Sequence, residues 1–95
     1  MSAQFTWSIA KARANRQKHG VSFEEALTVF ADSLALIHDD PEHSQEELRE
    51  IIVGHSSAGR LLLVSFIERD RAIRLISARK ATRGENEDYE KVQRR

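Results

Sequence analysis

Three apolar runs in close succession restrict this chain more than any other feature. Ile51-Ile52-Val53 lies within Leu48–Gly54, Leu61–Ile67 within Leu61–Arg69, and Ile73 to Ala78 within Ala72–Lys80. Their connections are short, Ser56-Ser57-Ala58-Gly59 and Asp70-Arg71. Such links leave no room for a crossover helix, so neighbouring runs must turn back on one another as antiparallel hairpins. Leu61–Ile67 is apolar at nearly every position and is expected at the centre of the sheet, covered on both faces.

Around this meander the remaining elements read locally. Gln4-Phe5-Thr6-Trp7 alternates polar and aromatic residues and predicts a short first strand. Ser8 caps a helix running to His19, and Gly20 suits the left-handed position beyond its end. Ser22 and Glu25 predict a capping box for a second helix, with Phe23, Ala26, Leu27 and Phe30 on one face, ending near Ala31. Leu34–His38 reads as a strand and Asp39-Asp40-Pro41-Glu42 as a turn. Thr82 and Glu85 form a second capping box for a last helix toward Lys91, with Gln93-Arg94-Arg95 expected to fray. The order is β-α-α-β-β-β-β-α, an α+β fold with an antiparallel meander sheet, two N-terminal helices and one C-terminal helix.

Ninety-five residues form one domain, residues 1–95. No apolar stretch approaches the length of a membrane span, and Met1 to Trp7 lacks the basic and apolar regions of a secretory signal. With no cysteine there is neither disulfide nor thiolate metal site. A small cytoplasmic protein is the expectation. Net charge is zero, yet unevenly spread. Ile9–His19 holds four cations and no acid, Glu24–Glu50 nine acids against Arg49 alone, and Arg60–Arg95 ten cations against six acids. A neutral chain of this kind can still present a basic face.

The C-terminal basic segment points to a phosphate-bearing partner, RNA above all. Arginine is a fixed, always-charged fork suited to phosphate oxygens, and a strand aims it rigidly. RNA cleavage requires an oriented 2′-hydroxyl, charge stabilisation at phosphorus and proton transfer, without obligatory metal. Arg60, Arg69, Arg74 and Arg79 surround the hairpins, and Glu68, Lys80, Glu85, Tyr89 and His19 are candidate proton carriers. In a regular strand Arg74 and Arg79 point to opposite faces; only a bulge, or an Arg79 beyond the strand end, brings both to one site. Arg79 is the stronger candidate, near the amides that Thr82 opens at the last helix. Arg74 has the alternative of pairing with Glu68.

Other polar residues carry simpler readings. His19 can cap the first helix or act as a proton carrier beside the basic helix. His38-Asp39-Asp40-Pro41-Glu42-His43 has metal-binding residue types, but its proline turn favours a solvated loop. His55 is expected at an exposed hairpin mouth, and Phe5 and Trp7 in core packing rather than base stacking. Ser65 and Ser77 have no His–acid arrangement, and no glycine-rich phosphate loop is present.

F-T-W-S-x-x-K-x-x-x-N-x-x-K-H-G-V-S-F-E-E-A from Phe5 to Ala26, and R-L-I-S-A-R-K-A-T-x-x-E-x-x-x-Y-E from Arg74 to Glu90, resemble the end motifs of the BrnT toxins. The acidic loop, the strand ending in Gly54 and S-S-A-G-R-L-L-L-V resemble the middle. That resemblance implies a RelE-like α+β fold and a bacterial ribonuclease toxin that blocks translation. It implies no metal and no organic cofactor. The implied partner is a BrnA-type ribbon-helix-helix antitoxin, with DNA met only through it and no membrane. By position the resemblance carries over Lys18, His19, Arg74, Arg79, Thr82, Glu85 and Tyr89. Together with the residue reading, Arg79, Arg74, Glu85, Tyr89 and His19 are expected in catalysis, and Lys18, Lys80, Thr82 and Arg60 are expected to hold RNA. Ser8 stands where the family usually has aspartate, and Gly84 and Asn86 where it tends to place arginines. The rival readings are a partner-binding module in a DNA-binding repressor complex, and an RNA-binding protein without catalysis.

Overall fold

A hairpin turn of only two residues, Asp70-Arg71, both with positive φ of 53° and 65°, reverses the chain between its two longest strands. That left-handed pair matches the twist of the strands it joins. The computed structural model describes residues 4–43, 45 and 47–94. The expectations resting on Met1–Ala3, Glu46 and Arg95 lie outside the described residues.

The elements are β1 (Gln4–Thr6), α1 (Ile9–His19), α2 (Phe23–Leu27), β2 (Leu36–Asp39), β3 (Arg49–His55), β4 (Leu61–Arg69), β5 (Ala72–Lys80) and α3 (Arg83–Gln93). Their order is the expected one. The five strands form one sheet in the order β1-β5-β4-β3-β2. β2 to β5 are the antiparallel meander, but β1 joins β5 in parallel, pairing Gln4–Thr6 with Ala72–Arg74. The sheet is therefore mixed. α1 and α2 lie between β1 and the meander in sequence, long enough a connection to bring β1 in parallel to β5.

Caps fix the helix ends. Ser8 Oγ accepts from Lys11 N at 3.3 Å, and Gly20, at φ 68°, donates to Arg16 O at 2.9 Å. Ser22 Oγ accepts from Glu25 N at 3.0 Å, yet the second half of the expected capping box is not made, because the Glu25 carboxylate is drawn to Arg60 and Ser56. α2 is shorter than expected and tightens into a 3-10 turn over Thr28–Ala31. The expected fraying at the C-terminus does not extend to Gln93, whose amide donates to Leu34 O at 2.9 Å.

The core lies between α1–α2 and one sheet face. Val21, Phe23, Ala26 and Val29 pack against Ile52, Leu62, Val64, Phe66, Leu75 and Ala78, all buried. Phe30 stands edge-on between Phe5 and Phe66, with ring centroids 5.1 Å from each, and Trp7 meets Phe23 at 5.9 Å. Both N-terminal aromatics are thus spent on packing. β4 is central, but its other face is only partly covered: α3 leans over the Leu63 end, and Ser65 and Ile67 stay half-buried. No helix among the described residues is long and apolar enough to cross a membrane.

Candidate active site

A one-residue bulge in β5 decides the geometry of this site. The register runs Leu63↔Arg79, Val64↔Ala78, Ser65↔Ser77 and then Phe66↔Leu75, so Ile76 is left without a partner on β4. Cross-strand partners share a sheet face, and the extra residue reverses the alternation. Leu75 and Ala78, three positions apart, are consequently both in the core. Arg74, opposite Ile67, and Arg79, opposite Leu63, therefore stand on the same open face with Ser77 between them. The alternative pairing of Arg74 with Glu68 is not formed, since Glu68 is opposite Ile73 on the helix side.

Arg79 is held by Glu85. Its two terminal nitrogens donate to the two carboxylate oxygens at 2.7 and 2.8 Å, and Nη1 also reaches Lys80 O at 3.3 Å. The reciprocal capping box of α3 binds the same carboxylate. Thr82 N donates to Glu85 Oε1 at 2.8 Å and Glu85 N donates to Thr82 Oγ1 at 3.2 Å. Hydrogen bonds from Arg79 first, then from the Thr82 amide, outweigh burial and hold Glu85 at a pKa of about 2. Its own bonds to Glu85 in turn raise Arg79. A carboxylate so acidic is a poor proton carrier near neutral pH and a good orienter of a guanidinium. The Thr82 and Glu85 amides are occupied by this cap.

Tyr89 is buried, its hydroxyl donating to Leu34 O at 3.1 Å and its ring standing 5.6 Å from that of His55. Burial first, and the charge of Asp32 second, push its phenol up. It pins α3 to the loop before β2. Arg60 is likewise committed: Nε and Nη2 reach Glu25 at 2.9 and 2.5 Å, and Nη2 also reaches Gly20 O at 3.2 Å. With Ser56 Oγ donating to Glu25 at 2.7 Å, this cluster ties the β3–β4 turn to the α1–α2 junction.

Lys18 and His19 come to the outer edge of β5, where with Asn15, Ile76 and Ser77 they line a cavity of about 240 Å³. Lys80 is exposed at the end of β5, opposite Leu62 and so on the helix side of the sheet. In the acidic loop, His43 Nδ1 is 2.9 Å from Asp40 Oδ2, and among the described residues no three His, Asp or Glu groups converge as metal ligands.

Two residues gain a place that sequence reasoning did not assign. Asn15 is buried in α1 and continues the sheet edge where β1 stops. Its Nδ2 donates to Ala78 O at 2.8 Å and Val21 O at 2.9 Å, and its Oδ1 accepts from Ala78 N at 2.9 Å. Its spacing of three from Ala12, on the packing side of a helix, was the available signal. His38 lies in β2, as the strand reading of Leu34–His38 expects, but opposite Ile51 and thus on the open face.

The comparisons with known proteins bear on the family and the fold. A family model described as the ribonuclease toxin BrnT of type II toxin–antitoxin systems matches residues 7–85. The crystal structure of the Brucella abortus ribonuclease toxin BrnT is similar in fold, with a TM-score of 0.68 over 86 % of this chain and 100 % of that one, at 20 % identity. No curated protein sequence matches. The family model spans most of both end motifs, from Trp7 to Glu85, and the chain belongs to the BrnT family of ribonuclease toxins of type II toxin–antitoxin systems.

Proposed function

We propose that this chain is a metal-independent endoribonuclease whose working surface is the open sheet face of β5. The observation that carries the reading is the shared face of Arg74 and Arg79, with Arg79 fixed by Glu85. Attack of a 2′-hydroxyl on its own phosphorus gathers negative charge on the non-bridging oxygens. Arg79 meets that charge from a preorganised position, and Arg74 holds the strand alongside. The proton leaving O2′ passes to a base, and O5′ takes up a proton as the P–O5′ bond breaks. His19 fits that exchange better than Glu85 or Tyr89, which are bound up in the α3 cap and the α3 anchor. Lys18, beside it, draws in the backbone charge and Thr82 borders the approach, whereas Lys80 stands on the opposite, helix side of the sheet.

In the cell this activity destroys messenger RNA in the cytoplasm and stops translation, as in RelE-like toxins. A BrnA-like ribbon-helix-helix antitoxin neutralises it, and DNA is met only through that partner. The test is purified protein incubated with RNA in excess EDTA, beside induction of the gene with and without an antitoxin gene. Cleavage insensitive to EDTA, with growth arrest relieved by the antitoxin, is the expected result. Intact RNA from a folded protein would shift the role to binding.

A further inference from the structure

Between α3 and the open face lies a cavity of about 220 Å³, next to the Arg79–Glu85 pair. Leu36, Val53 and Leu63 from three successive strands form its floor, all half-buried. Asp88 and Val92 close it from the helix, and His38 from β2 stands at the far wall. The space is about that of one nucleobase. Resting on the ribonuclease reading above, we propose that this cavity is a base-recognition site that takes a guanine next to the cleaved phosphate.

Charge separates what can enter from what cannot. Glu85 and Asp88 on one side repel a phosphate, whereas the flat apolar floor accepts the face of an aromatic ring. The phosphate of the same nucleotide then falls toward Arg79, opposite Leu63, one residue from the cavity floor. Single-stranded RNA is read in this manner, by splaying a base out and bonding its Watson–Crick edge. Glu85 is saturated by Arg79 and Thr82, but the Asp88 carboxylate has no hydrogen bond or ion pair among the described residues. A carboxylate has two adjacent acceptors and no donor. Guanine alone among the four bases offers two adjacent donors on that edge, N1–H and the N2 amine. The His38 ring, with Nδ1 3.2 Å from Asp39 O, supplies a wall for stacking.

The test uses the intact chain with guanosine, adenosine, cytidine and uridine 5′-monophosphates, following the methyl resonances of Leu36, Val53 and Leu63. Shifts with the guanosine nucleotide at lower concentration than with the other three are expected, and equal or absent shifts overturn the proposal. This readout is independent of cleavage, so failure of the ribonuclease reading shows separately, as intact RNA. In cleavage assays, replacing guanosine by inosine at the preferred position removes the N2 amine without touching the protein. A fall in kcat/KM of roughly tenfold is expected, matched by Asp88→Asn on the guanosine substrate. Unchanged rates with inosine, or a base preference that Asp88→Asn leaves intact, would show that Asp88 does not read the base.

Discussion

Arg74 and Arg79 face the same side of the sheet although they are five positions apart in one strand. The bulge at Ile76 is the reason. Bulges recur beside active sites because they re-aim a side chain without ending the strand. Here the result is two guanidiniums of β5 on one open face, with Ser77 between them and one of them clamped by a carboxylate.

Arg79→Ala is expected to lower RNA cleavage by about a hundredfold or more, the scale of losing one preorganised charge donor. Arg79→Lys restores little, because an ammonium cannot make the two-pronged bond to Glu85. Cleavage rates under single-turnover conditions check both, with circular dichroism confirming the fold.

Glu85→Gln removes the Oε2 prong of that bond and its charge, while the amide oxygen still accepts from Thr82 N in the α3 capping box. A loss of about 1 kcal/mol in unfolding free energy is expected from the lost charge-assisted bond to Arg79, by chemical denaturation. Because folding lowers the Glu85 pKa from 4.5 to about 2, its contribution is complete above pH 4.5 and is lost as pH falls toward 2. Glu25, lowered chiefly by its hydrogen bond from Arg60, acts in the same direction. Wild-type stability therefore drops through that acid window, and the Gln variant, measured by thermal unfolding across pH, has a flatter profile.

Asn15→Leu fills the same place without the amide. It strands the Ala78 N–H and the carbonyls of Ala78 and Val21, at a cost of about 2 kcal/mol or more. Hydrogen exchange at the Ala78 amide should accelerate more than exchange elsewhere in β5. Unchanged exchange there would remove Asn15 from its role at the sheet edge.

Arg60→Met separates binding from structure. If Arg60 serves Glu25, the variant loses about 1 to 3 kcal/mol of stability by leaving a half-buried carboxylate without its donor. The salt dependence of RNA binding should then be unaltered, whereas a phosphate contact would reduce the slope by about one unit.

Gly54→Ala tests close packing at the end of β3. A Cβ there would come within 2.8 Å of Ala35 Cβ, 3.0 Å of Asp32 Oδ2 and 3.1 Å of Val29 Cγ1. Those neighbours belong to a packed loop, so about 1 to 3 kcal/mol of destabilisation is expected in denaturant unfolding.

The element order and most element ends were legible in the residues because they depend on neighbours a few positions away. Ser8, Ser22, Thr82 and Gly20 act through bonds within one turn, and Asp70-Arg71 closes a hairpin between adjacent strands. The family was legible too, since its motifs are contiguous. The parallel seat of β1, the strand-like pairing of Asn15 with Ala78 and the diversion of Glu25 from its own cap to Arg60 all span tens of residues. No local pattern carries them. The decisive case is β5, where alternation alone puts Arg74 and Arg79 on opposite faces. Leu75 and Ala78 both gain burial when Ile76 is left unpaired, and packing against α1 and α2, not strand propensity, selects the bulge that unites the two arginines.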